Sequence, residues 1–250
     1  MNTTLERFKT SSTAAPQRFD LYGNIHKALR SLMADTLIRI GRLDATDEAE
    51  VKADLAQLEA LLQLCLSHIH HENDFIHSAI EARRPAAATR TANDHHDHLE
   101  HIAALQADAF ELRYSEAPAR AVLAQRLYAH LALFVADNLQ HMHIEETVNN
   151  TALWALYNDA ELIAIHESLL ASIGPAEQML AARWMLPAIT PAERAALLGK
   201  LQSKMPAEPF AGLLAILQGQ LDLGAWSKLA LALGLVQQPG LVHCSAGATS

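Results

Sequence analysis

The chain has 250 residues, of which 50% are hydrophobic and 19% charged, so it is not disordered as a whole. Its 19 Lys and Arg against 28 Asp and Glu give a formal net charge of −9, and the lack of any basic run argues against a nucleic-acid partner. No stretch approaches the about 18 apolar residues of a membrane span, and residues 1–20 lack the apolar core of a secretory signal. With only Cys65 and Cys244 there is no disulfide framework, so we expect a cytoplasmic protein without membrane association.

Four long segments repeat apolar residues with the 3.6-residue period of an amphipathic helix, and none has the alternation of a strand. They cover about residues 21–43, 47–84, 93–114 and 118–148. Because short connections between long helices favour antiparallel neighbours, the pattern predicts an all-α fold with an up-down-up-down four-helix bundle.

The composition changes near residue 150. Beyond it the predicted helices are short and separated by prolines, and all three tryptophans occur there. We therefore predict an N-terminal extension at 1–19, the bundle at 20–150 and a smaller helical subdomain at 151–250. The last of these is expected either to cap the bundle or to form a homodimer contact.

The composition is unusual in its 14 histidines. Two predicted helices carry the same arrangement of one histidine and one glutamate. His68 and Glu72 are four residues apart, as are His141 and Glu145, so each pair shares one face of its helix. Both pairs fall on the apolar stripe. An imidazole and a carboxylate repeated on two buried faces indicate a metal site.

The positions of two further histidines agree with this prediction. Counted from the turns at one end of the antiparallel bundle, His26, His68, His95 and His141 lie at the same level, at about 28–38 Å for a rise of 1.5 Å per residue. Buried polar groups without partners cost several kcal/mol each, and metal ions would satisfy them.

The pattern of His26, His68/Glu72, the DHHDH cluster and His141/Glu145 resembles the hemerythrin-like, HHE cation-binding family over about residues 20–150. The resemblance implies a non-haem di-iron centre bridged by carboxylates and an oxo or hydroxo group. It implies Glu72 and Glu145 as bridging ligands and His26, His68 and His141 as terminal ligands.

The third-helix ligand is left open by the sequence. Oxygen carriers of that family have His-x-x-x-His on this helix, and no pair in DHHDHLEH has that spacing. We favour His95 and His98, which share the inward stripe with Leu99 and Ile102.

Several neighbours of these residues have two interpretations each. His71 and Glu146 are alternative ligands or partners that orient imidazoles. His77 and Asp74 belong to such a shell, to the end of the bundle or to the surface. Tyr22, one turn from His26, packs in the core or touches the site.

Other metal bundles do not fit the sequence. Ferritin-like di-iron proteins need Glu-x-x-His, and no glutamate here has a histidine three residues later.

The expected function is binding of dioxygen or another small diatomic or peroxide ligand at two irons, with manganese and zinc as alternative metals. The role is sensing, storage or a redox response. A di-iron oxidase or peroxide-reducing enzyme and a purely structural metal remain as alternatives, so enzymatic activity is left open.

Overall fold

The computed structural model describes residues 18–235, apart from the side chain of Ala117, and these residues are helical without any strand. The all-α prediction is therefore confirmed for this part of the chain. Residues 1–17 of the expected N-terminal extension, and residues 236–250 with Cys244, lie outside the described residues. The elements are α1 (Gly23–Gly41), α2 (Glu48–His71), a first π-helical segment (Glu72–His77), α3 (Ser78–Arg83), α4 (Thr89–Tyr114), α5 (Ala117–Ile144), a second π-helical segment (Glu145–Asn149), α6 (Asn150–Leu156), α7 (Asp159–Ser172), α8 (Pro175–Ala188), α9 (Pro191–Lys204), α10 (Ala207–Gln220) and α11 (Leu223–Ala232).

Local sequence signals explain where the long helices begin. The carboxylate of Asp47 accepts hydrogen bonds from the backbone N–H groups of Ala49 and Glu50, at 2.9 and 3.1 Å, and so caps α2. Pro118 lies in the first turn of α5, where its missing N–H group breaks no helical hydrogen bond.

Two of the helices are continuous through their π-helical segments. The first runs from Glu48 to Arg83 and the second from Ala117 to Leu156. The predicted boundary near residue 150 falls inside the second of these helices. The part of the chain that follows is thus joined to α5 by a helix and not by a loop.

The helices α1, α2, α4 and α5 contact one another in a closed ring. Helix α1 packs against α2 and α5, and α4 packs against the same two helices. Their inner faces form one apolar cluster that includes the fully buried residues Leu58, Leu105 and Leu127. Burying such a leucine contributes about 1.5–3 kcal/mol, so this cluster holds the four helices together.

Of the helices after α5, α8 packs on one side of the ring and α6 and α7 pack at one end, whereas α9, α10 and α11 pack with one another and with α8 in a separate apolar cluster. Helix α8 packs along α1 and also touches α2, with Leu180 and Trp184 against the main apolar cluster. Leu153 of α6 and Leu162 of α7 belong to a second cluster at one end of the ring, together with Tyr22. Within residues 18–235, no helix has the length and apolar character needed to cross a membrane.

Candidate metal centre

Six polar side chains from the four ring helices meet in the interior. The side chains of His26, Glu72 and Glu145 are at most 1% exposed, and His68 is the most accessible of the six at 12%. The six are His26, His68, Glu72, His95, His141 and Glu145.

These residues form two overlapping groups of four, and the ligand atoms within each group lie within 4.8 Å of one another. The first group contains His26 and His68, and the second contains His95 and His141. Glu72 and Glu145 belong to both groups. Two imidazoles thus lie on each side of two shared carboxylates, and each group of four could hold a metal ion.

The oxygens of Glu72 point to different groups. Oε1 lies 3.2 Å from Nε2 of His68 and 3.5 Å from Nε2 of His26, whereas Oε2 lies 3.3 Å from Nε2 of His95. This division is what a carboxylate needs in order to bridge two ions.

Glu145 faces both groups from the opposite helix. Its Oε2 lies 3.2 Å from Nε2 of His141 and 3.5 Å from Nε2 of His26, and its Oε1 lies 3.8 Å from Nε2 of His95. Together the two carboxylates connect all four helices of the ring.

The unpartnered atoms of the centre fit a bound metal. Nε2 of His26, Nε2 of His68 and all four carboxylate oxygens of Glu72 and Glu145 are buried without a hydrogen bond. Leaving such groups unsatisfied is costly, and each of these atoms is a metal-ligating type. The clusters could therefore hold metal ions.

The opposite nitrogen of three of the four imidazoles has a hydrogen-bond partner outside the centre. When Nδ1–H donates to an acceptor, the lone pair of Nε2 is left to face the ions, and the ring is held in that orientation. The Nδ1 partners are Glu146 for His26 at 3.1 Å, Asn73 for His95 at 2.8 Å and Asp94 for His141 at 3.3 Å.

Both shared carboxylates stand at the start of a π-helical segment. Glu72 opens the first segment and Glu145 the second. Such wide turns inside α-helices occur frequently at functional sites. The same departure from α-helical bonding therefore occurs at the equivalent place in both His-x-x-x-Glu helices.

The charged groups of the centre shift one another's pKa values. Burial lowers the pKa of His26, but the carboxylates of Glu145, Glu146 and Glu72 outweigh burial, and the pKa is raised well above its ordinary value. Burial lowers the pKa of His68 to about 4. Burial and Glu145 raise the pKa of Glu72, but the neighbouring imidazoles outweigh them, so the pKa is lowered and the carboxylate is ionised. Because the oxygens of Glu72 and Glu145 are buried without hydrogen bonds, nearby positive charge from protons or metal ions would stabilise both carboxylates.

The structure separates the two histidines favoured on the third helix. His95 belongs to the second group, whereas His98 lies outside both groups. His98 is buried with its ring edge-on to His141, at a centroid distance of 4.9 Å, and against Phe134. Three residues along an α-helix correspond to about 4.5 Å, so His98 lies nearly one turn above the level of the carboxylates.

The orienting partners were only partly expected from the sequence. The sequence predicts Glu146 as an alternative ligand or an orienting partner, and in the structure it contacts Nδ1 of His26 and belongs to neither group of four. His71 lies 3.5 Å from Glu177 of α8, outside both groups. Asn73 and Asp94 were missed, and the available signal was that each is adjacent in sequence to a site residue.

Comparisons of the chain with protein-family models, with curated proteins and with solved structures gave no match.

Proposed function

We propose that this chain is a hemerythrin-like protein with a non-haem dinuclear iron centre, which binds dioxygen or another small diatomic or peroxide ligand in sensing, storage or a redox response. One observation carries the proposal: two pairs of buried imidazoles share the same two carboxylates. The resemblance of the sequence pattern to the hemerythrin-like family agrees with this arrangement.

The proposal includes the arrangement of the helices. We propose that α1, α2, α4 and α5 form an up-down-up-down bundle around the centre. The closed ring of contacts and the short connection between α4 and α5 support this topology.

Two irons fit the donor set best. Four imidazoles and two carboxylates exceed what one tetrahedral zinc requires, and mixed nitrogen and oxygen donors suit iron and manganese. When bound, two irons supply open coordination positions and electrons for a small ligand.

The protein's own residues have separate tasks in this proposal. His26 and His68 would hold one ion and His95 and His141 the other, with Glu72 and Glu145 available to both. Because the centre is almost completely buried, it excludes bulk water and favours a small ligand over a large organic substrate. This burial is why we place ligand binding before an oxidase or peroxide-reducing activity.

The test is elemental analysis with an absorption spectrum, on protein purified aerobically from iron-supplemented cells. We expect about two irons per chain, as in two-metal sites, and oxo-to-iron charge-transfer bands in the near ultraviolet. A folded protein with one zinc or no metal would reject the proposal.

A matched pair of variants tests the role of the carboxylates. Glu72→Gln removes a shared carboxylate and should abolish the dinuclear spectrum. His96 and Glu100 have the same four-residue spacing, but their side chains are 76% and 75% exposed, so Glu100→Gln should leave iron content and spectrum unchanged.

A further inference from the structure

A second layer of buried polar side chains borders the metal centre, one helical turn along each helix from a site residue. Nε2 of one member, His77, lies 3.6 Å from Oε1 of Glu145. One residue of this layer lies in, or directly beside, each of the four continuous helices that form the ring, and none of the four is more than 5% exposed. The members are Tyr22, which immediately precedes α1, His77, Thr91 and Asn149. We call these four residues the polar layer.

The register of the polar layer follows from the positions of the site residues. Each member is one turn from a site residue of its own helix. The offsets are four residues from Tyr22 to His26, four from Thr91 to His95, four from Glu145 to Asn149 and five from Glu72 to His77. An offset of five would leave the inner face of an α-helix, but the first π-helical segment spans Glu72–His77, and its i→i+5 bonding returns His77 to that face.

The members of the polar layer are connected by hydrogen bonds. Nδ2 of Asn149 donates to Oγ1 of Thr91 at 3.1 Å and to Oη of Tyr22 at 3.4 Å. Oγ1 of Thr91 lies 3.1 Å from Nε2 of His77. All four helices are thus joined beside the centre.

The Tyr22 hydroxyl has an unused donor proton, and Nδ1 of His77 is likewise buried without a hydrogen bond. The hydroxyl accepts from Asn149, and within residues 18–235 its own proton has no acceptor. The ring of Tyr22 packs against the ring of His26, with centroids 5.3 Å apart. The side chain of Tyr22 is fully buried, and its hydrogen-bond partner Asn149 follows Glu145 by one helical turn, so the hydroxyl lies in the layer next to the shared carboxylates. A buried O–H group at this position is able to donate to a group held in the centre.

We propose that Tyr22 Oη donates a hydrogen bond to a small anion bound in the metal centre, while Asn149 and Thr91 hold the phenol in place. This inference rests on the proposed function and names a class of ligand for it. Hydrogen bonds to charged acceptors are stronger than those to neutral ones, so anions such as azide gain more from Tyr22 than neutral diatomic ligands do.

The test is the dissociation constant of azide, followed by absorption, in the full iron-loaded chain and in Tyr22→Phe. Loss of a hydrogen bond to a charged group should weaken azide binding about 10- to 100-fold at unchanged iron content. Tyr157→Phe is the matched control, because its hydroxyl donates to the backbone oxygen of Ala79 and contacts no site residue. That variant should bind azide as the unmodified chain does.

A second measurement does not depend on the variant's folding. The antisymmetric stretch of azide bound to the unmodified protein should shift between H₂O and D₂O, because the donated proton exchanges. An unshifted band overturns the inference, as does equal azide affinity in Tyr22→Phe or a protein that holds two irons but binds no azide. If the unmodified protein takes up no iron, the proposed function itself fails, and elemental analysis shows this before azide is added.

Discussion

Glu146 offers the sharpest test of how the centre is organised. Its carboxylate accepts from Nδ1 of His26 at 3.1 Å and from the guanidinium of Arg30 at 2.6 and 3.0 Å. His68, the other imidazole of the same group, has no Nδ1 partner within the described residues. Glu146 therefore orients the only imidazole of the first group that is held from outside, and Glu146→Ala should weaken that group alone.

The size of the effect follows from the contacts. Removing the partner of a metal-ligating histidine typically lowers metal affinity 10- to 100-fold, about 1.4–2.7 kcal/mol. Because Arg30 already shares the charge of Glu146, we expect the lower part of this range for Glu146→Ala, about 10- to 30-fold. Glu146→Gln keeps an acceptor oxygen and should lose only about three- to fivefold.

The assay is an anaerobic titration with Fe²⁺ against a competing chelator, which separates a tight step from a weak one. In Glu146→Ala one step should weaken and the other should stay near its original affinity. Glu100→Ala, which removes an exposed carboxylate, is the control. If both steps weaken equally, or neither changes, Glu146 does not act through His26 and the reasoning is wrong.

Three further results are expected. The neighbouring carboxylates raise the pKa values of His26 and His141 above their ordinary value, so protons compete with metal ions for both imidazoles. Metal affinity should therefore fall as the pH drops from about 7.5 to about 5.5. An equal affinity at both pH values would contradict ligation by imidazole. Ala86 has a φ of 66°, in the left-handed region that is strained for alanine. Ala86→Gly should raise the free energy of unfolding by about 0.5 kcal/mol, because removing this backbone strain outweighs the larger conformational entropy of the unfolded chain. Urea unfolding measures this change, and a decrease refutes the prediction. Asp47→Ala should lower the free energy of unfolding by about 1 kcal/mol through loss of the α2 cap, whereas Asp47→Asn should lose much less.

Sequence reasoning performs best on features that one helix determines by itself. The pairs His68/Glu72 and His141/Glu145 are visible because a four-residue spacing fixes their common face. The level of His26 follows from counting residues to a turn. In the structure these side chains lie in the same cluster.

The features that were missed depend on the relative position of two helices. Whether His95 or His98 reaches the carboxylates depends on the axial position of α4 to within one turn, because both lie on its inner side. Asn73 and Asp94 act across a helix interface, so their own helices carry no pattern that marks them. The π-helical segments have no sequence signature in the periodicity, since a single widened turn barely changes an average over a long helix.

The packing of α8 along α1 has a consequence for the order of folding during synthesis. All six side chains of the centre have been made once the ribosome has passed Glu145, and domains fold from the N-terminus onward. The face of α1 that receives Leu180 and Trp184 stays uncovered until α8 has been made, about thirty residues later. The nascent chain thus contains all six candidate ligands before α8 covers the helix that supplies His26. Metal bound at that stage would hold α1 in the ring before α8 covers its outer side.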